Sequence, residues 1–278
     1  MTERNAGFLW NILSSLAAAV SSVLLLMIVK RFAGIPIGAH FSMAIAVANV
    51  MIPIGHMNSF GYQVSDVLEK YSFPTYLKLR KVTVCLMIIS ALGYIWMQDI
   101  SGQKADIIFW YCVYKAAYAY ADVYQGRYQQ KGRADLAAKL QFYKTWIPDS
   151  LLAIVVIVLK DVRNAIILAA AVQMLYLYWY NRKYDFYLYQ DIKTKIQKRQ
   201  CVLLYRQCMP LFFSAFTAAF ILNSSKYSID RILNNKAQVC YSILLLPATT
   251  VHMIAGFVYR PLLAEYAKDW SKGEYGKF

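Results

Sequence analysis

From Asn5 to Val29, and again from Phe32 to Ser65, the chain carries no Lys, Arg, Asp or Glu. A helix needs about 20 mostly apolar residues to cross the hydrocarbon core of a bilayer. Backbone inside that core has no water to bond to, so only helices and closed barrels cross it. Uncharged runs of this length exceed what a buried strand uses and point to helices. Hydrophobic residues make up 59% of the 278 and charged residues 16%, which argues against a soluble globular chain, where about 25% are charged. The first run is also too long for a cleavable signal peptide, and no small-residue cleavage site follows it.

Eight membrane helices are expected from the apolar runs. They lie near Asn5–Val29, Ile37–Gly61, Val82–Gln98, Ile107–Gln125, Lys144–Leu159, Asn164–Asn181, Gln207–Ser225 and Ala237–Tyr259. Pro148 and Asp149 interrupt the fifth. The expected fold class is all-α, a polytopic transmembrane helix bundle. Residues 1–180 would form a first six-helix lobe, 181–206 a basic cytoplasmic linker, and 207–278 the start of an incomplete second lobe.

The net charge of +15 invites comparison with nucleic-acid binders, but the cations sit between apolar runs, where they set topology. On one side lie Arg4; Lys70, Lys78, Arg80 and Lys81; Arg127, Lys131, Arg133, Lys139 and Lys144; the cations of 182–206; and Arg260, Lys268, Lys272 and Lys277. On the other lie Lys30 and Arg31; Lys104; Lys160 and Arg163; and Lys226, Arg231 and Lys236. The bias is 21 against 8, with Lys115 in mid-helix. By the positive-inside rule the N-terminus is cytoplasmic, and an even helix count returns the C-terminus to the same side.

Helix four holds the candidate site. Tyr111, Lys115, Tyr118 and Asp122 are spaced by four, three and four residues, which puts them on one helical face. An ionisable residue in a membrane helix is costly and generally faces the bundle interior or a wet cavity. Lys115 is therefore a candidate for meeting an anionic group in transit. The plainer readings are that it snorkels to the interface or pairs with Asp122. Tyr111, Tyr114 and Tyr118 offer hydroxyls and ring faces to a sugar, whereas Leu175–Tyr180 fits an interfacial aromatic belt. Ser14, Ala18 and Ser22 form a small-residue stripe on helix one, suited to close packing or to a sliding surface.

No metal and no cofactor are expected. His40, His56 and His252 are isolated, without a second ligand at metal spacing. The five cysteines have no CxxC spacing and read as small apolar residues within helices.

Several short segments, in order, resemble polysaccharide flippases, the O-antigen and capsule branch of the multidrug/oligosaccharidyl-lipid/polysaccharide exporter superfamily. They are Arg4-Asn5, Trp10-Asn11, Lys30–Gly34, Gly61–Asp66, Tyr76–Arg80, Asp122–Gly126 with Gln129-Gln130, Asn223 with Lys226–Asp230, and Arg260–Leu263 before Trp270. The resemblance implies twelve to fourteen helices in two lobes around a central cavity. This chain covers the first lobe and two helices of the second, as a truncated product or partial sequence would. It also implies a bacterial cytoplasmic-membrane transporter whose cargo is an oligosaccharide on a polyprenyl pyrophosphate, moved by rocking of the lobes without covalent chemistry. Arg4 and Arg31, at the two ends of helix one, join Lys115, Asp122, Tyr111 and Tyr118 as cavity candidates. Expected partners are the lipid-linked oligosaccharide, membrane lipids, and the polysaccharide polymerase and glycosyltransferases of the same synthesis; no nucleic acid is expected. The alternatives are a drug exporter of the same superfamily, a non-transporting fragment, or a membrane-bound transferase. An enzyme would need a nucleophile, base or metal cluster, for which the sequence offers no motif.

Overall fold

The computed structural model describes residues 3–66, 69–189, 198–245, 247, 248 and 251. Excepted are the side chains of 3–9, 11, 12, 15, 16, 18–20, 22, 189 and 198. Ten helices are described: α1 (Glu3–Ala33), α2 (Ile35–His56), α3 (Ser59–Ser65), α4 (Phe73–Met97), α5 (Gly102–Gln130), α6 (Ala134–Leu159), α7 (Val162–Lys183), α8 (Asp185–Tyr189), α9 (Lys198–Ile232) and α10 (Asn235–Leu244). Five stretches are long and apolar enough to cross a membrane: Ile35–Ser65, Phe73–Met97, Ala134–Leu159, Val162–Lys183 and Arg199–Ile232. The chain is an all-α, multi-pass membrane helix bundle.

Two helices sit at its centre. α2 touches α1, α4, α5, α9 and α10, and α5 touches α2, α3, α4, α6, α7 and α8. α2 reaches that position because its buried face is built of Gly38, Ala39, Ser42, Ala44, Ala46 and Ala48, and small residues let helix backbones approach closely. A Cβ on Gly38 would lie 3.1 Å from the Lys30 Cα on α1. α5 is the polar one, and its charges are tolerated because neighbours enclose them. On α1 the described small residues that are buried are Ser14, Ala17 and Ser21; Ala18 and Ser22 of the expected stripe lie outside the described side chains.

The outer surface is apolar. Ile89 and Leu92 on α4, Ile154 and Val158 on α6, and Leu168 and Leu175 on α7 are exposed, as lipid-facing residues must be. α9 packs on α2 and α4, but only 11% of its apolar stretch is covered, against 61% for α2 and α3. Lys104 at the start of α5 meets Asp230 near the end of α9 at 2.7 Å. At the opposite ends, the hydroxyls of Tyr62 and Tyr71 both donate to Gln207 Oε1 at 2.8 Å.

α6 runs unbroken through Pro148 and Asp149, starting ten residues before the expected Lys144. Proline lacks an N–H, so it strips the carbonyl four residues earlier of its helical partner. That carbonyl belongs to Lys144, and Gln173 on α7 donates to it at 3.1 Å. Asp149 is satisfied in turn by the Tyr114 hydroxyl at 2.6 Å. In the stretch read as a linker, α7 continues to Lys183, α8 follows, and α9 begins at Lys198. Most of expected helix eight beyond Leu244, and residues 190–197, lie outside the described residues.

Candidate functional site

The interior polar groups form two connected layers. The first is near the end of α2. Met57 and Asn58 turn left-handed there, with φ of 48° and 47°, and leave the last carbonyls of α2 without helical partners. Arg80, two turns into α4 and just before its apolar run, fills the gap. Its Nη1 donates to the Gly55 carbonyl at 2.7 Å, and Thr83 Oγ1 donates to the same oxygen at 2.8 Å. Its Nη2 donates to Ser59 Oγ at 3.0 Å and to Asp122 Oδ2 at 2.9 Å. His56 Nδ1 lies 3.3 Å from the same carboxylate oxygen. Gly55 has no room for a side chain, since a Cβ would come within 2.7 Å of Met87 Sδ.

The second layer is deeper. The Lys115 ammonium lies among the rings of its own helix, 5.3 Å from the Tyr111 centroid, 4.9 Å from Tyr114 and 5.5 Å from Tyr118. Such placement over aromatic faces is attractive, most of all when water is excluded. Tyr114 holds Asp149 of α6. Lys144, fully buried on α6, sits 3.8 Å from the Tyr118 ring centroid and 3.4 Å from the Tyr118 carbonyl oxygen. The Tyr118 ring also stacks near His56, with ring centroids 6.4 Å apart, and its hydroxyl is bonded to Gln141. Gln125 Nε2 donates to Gln141 Oε1 at 2.8 Å.

Four of the six sequence candidates, Tyr111, Lys115, Tyr118 and Asp122, thus take part in the two layers. Asp122 bonds Arg80 and His56, so its stripe-mate Lys115 is left to the tyrosines. Tyr111 is buried, edge-on to Phe41 at 5.2 Å. Arg31 is exposed in the last turn of α1, where its charge suits the helix dipole; no described contact joins it to the layers. The side chain of Arg4 lies outside the described residues.

The sequence alone did not single out Arg80, Lys144, His56 or Gln141 as site residues. A signal existed for Arg80: Tyr76, Arg80, Thr83 and Met87 follow the four-three-four spacing of one helix face, and all four are buried. Three of the segments that carry the resemblance, Gly61–Asp66, Tyr76–Arg80 and Asp122–Gly126 with Gln129-Gln130, meet in space. Asp66 accepts from the Lys70 and Tyr71 N–H groups at 2.8 and 3.1 Å and from the Tyr76 hydroxyl at 3.0 Å. Gln130 donates to the Asp66 carbonyl at 2.8 Å. Gly126 makes room for Gln63, whose amide donates to the Val123 carbonyl at 3.2 Å.

Just outside these layers, Glu69 bonds Arg127 at 3.1 Å and Lys131 at 2.7 Å. Partial burial pushes its carboxyl upward, but the hydrogen bonds from Lys131 and Arg127 outweigh this and hold it below the usual carboxylate range. Among the described residues no three His, Cys, Asp or Glu side chains converge as a metal would require. No family model, no curated protein and no solved structure matches this chain.

Proposed function

We propose that this chain belongs to a flippase for polyprenyl-pyrophosphate-linked oligosaccharide, of the polysaccharide branch of the exporter superfamily, in the bacterial cytoplasmic membrane with its N-terminus inside. One observation carries the reading: the bundle interior is positively biased. Arg80, Lys115 and Lys144 stand against Asp122 and Asp149, within a few residues of one another across α4, α5 and α6. Charge inside a membrane bundle is expensive and marks paths for polar cargo. A cationic excess attracts an anionic group, and a pyrophosphate supplies one.

The tyrosines around Lys115 serve the rest of the cargo. Their ring faces stack on sugars and their hydroxyls bond them, while Lys115 and Lys144 meet the pyrophosphate. Passage needs no bond made or broken, only alternating exposure of the site. The protein acts as a transporter and not as an enzyme.

The test is glycan export in a strain lacking its own flippase, with Lys115 varied in the complementing protein. Lys115→Arg keeps substantial export, while Lys115→Ala and Lys115→Glu lose it at normal protein levels. Full export by Lys115→Ala removes Lys115 from the site.

A further inference from the structure

A cleft of about 380 Å³ opens between α5, α7 and the start of α8. It lies on the far side of α5 from the interior layers. Tyr120 and Tyr124, which line it, stand about half a turn round the helix from Tyr118 and Asp122. Its volume is at the lower end of the range for small-molecule sites. Buried Leu177 and Asn181 lie at its base, and Met174, Tyr178, Arg182 and Asp185 line its exposed side.

The polar groups there are only partly used. Asn181 accepts from the Tyr128 hydroxyl at 3.2 Å through its side-chain carbonyl, which leaves its NH₂ for the cleft. Arg182 donates one described bond, from Nη1 to the Tyr178 hydroxyl oxygen at 3.3 Å; among the described residues no carboxylate lies within ion-pair distance of it. The cleft thus offers one guanidinium, one carboxylate, an amide donor and three tyrosines beside the apolar Leu177 and Met174. It opens beside Leu175 and Trp179, both more than half exposed on the lipid-facing surface of α7, at the basic end of that helix.

We infer that this cleft binds the headgroup of phosphatidylethanolamine. The phosphate meets Arg182 and the Asn181 amide, since a guanidinium and neutral N–H donors together suit phosphate oxygens. The ammonium meets Asp185 and the tyrosine ring faces. One acyl chain runs over Met174 and the exposed side of α7. The paired opposite charges select the headgroup. Phosphatidylglycerol brings an anion with no cation to match Asp185. Phosphatidylcholine brings a cation with no N–H to donate to it. A basic site between helices would favour anionic lipids, and Asp185 turns that preference toward a zwitterion. The inference stands apart from the transport reading, since it concerns a different face of α5 and a different ligand.

The full chain, purified in mild detergent, is offered equal amounts of phosphatidylethanolamine, phosphatidylglycerol and phosphatidylcholine with identical acyl chains, and retained lipid is counted by native mass spectrometry. Phosphatidylethanolamine is retained about tenfold over either competitor, the factor one charge-assisted hydrogen bond supplies. Asp185→Asn removes the preference over phosphatidylglycerol. Arg182→Gln lowers retention of all three, and Arg182→Lys keeps it. Both side chains are exposed, so these variants leave the fold intact. Equal retention of the three lipids by the unaltered chain overturns the inference, as does a phosphatidylglycerol preference. A phosphatidylethanolamine preference unchanged in both Asp185→Asn and Arg182→Gln places the lipid elsewhere and also overturns it.

Discussion

Replacing Arg80 by Met tests the interior charge network directly. The Arg80 side chain is completely buried and that of Asp122 is 8% exposed. Removing one partner of a buried pair strands the other charge, which costs about 3–5 kcal/mol. Two features bring the expected loss to the lower end. The Gly55 carbonyl keeps its bond from Thr83 at 2.8 Å, so no backbone acceptor is orphaned. Asp122 also keeps His56 Nδ1 at 3.3 Å. Arg80→Met should therefore cost about 3 kcal/mol. Asp122→Leu strands the guanidinium instead and should cost a similar amount. In the double variant neither charge is left, so the combined loss should fall short of the sum by about 2 kcal/mol, near the upper part of measured couplings. Reversible unfolding in mixed detergent–SDS micelles at neutral pH, followed by circular dichroism, gives all three values. Strict additivity, or single losses under about 1 kcal/mol, would refute the buried pair and transfer the charge balance to His56 or water.

Gln173 and Pro148 form a second coupled pair. Gln173→Leu should destabilise the protein measurably more with Pro148 present than in a Pro148→Ala background, where the backbone N–H returns to bond Lys144; equal effects in the two backgrounds would contradict the rescue. Glu69 gives a pH signature. Its folded carboxyl is held low by Lys131 and Arg127, so its contribution is complete above the ordinary carboxylate value of 4.5 and is lost as pH falls below it. The stability gap between the native chain and Glu69→Gln should accordingly close in acid; a gap that widens there reverses the sign and defeats the assignment. For topology, a reporter fused after Arg133 should read cytoplasm and one after Gln103 the outside, and a cytoplasmic signal at Gln103 would break the helix order.

The helices themselves were legible because uncharged length is a one-dimensional property. The apolar runs located α1, α2, α4, α5, α6, α7 and α9 within a few residues to about ten. Their ends were the weak part, since a run is cut at its first charge, whereas a helix inside a bundle carries charges past that point. Arg80 and Lys144 were counted with the basic loops for this reason, and both are buried. Moving them out of the loops leaves the charge bias in place. The stripe of Tyr111, Lys115, Tyr118 and Asp122 was visible from spacing alone. Its partners were not, because they come from other helices. Which group satisfies Asp122 depends on where α2 ends and on the register of α4. The interruption at Pro148 could not be dismissed from the sequence either, since the group that repairs it, Gln173, lies 29 residues from the Lys144 carbonyl it bonds.

Transport itself can be watched as the cargo crosses a bilayer. The chain is reconstituted into sealed vesicles carrying a fluorescent polyprenyl-pyrophosphate oligosaccharide in one leaflet, and a membrane-impermeant reagent reports the headgroup on the other side. Transfer should run well above that in protein-free vesicles, be lost in Lys144→Gln and Lys115→Ala, and be retained in Lys115→Arg. Transfer no faster than in empty vesicles, from protein shown to be folded and inserted, would contradict the transport reading.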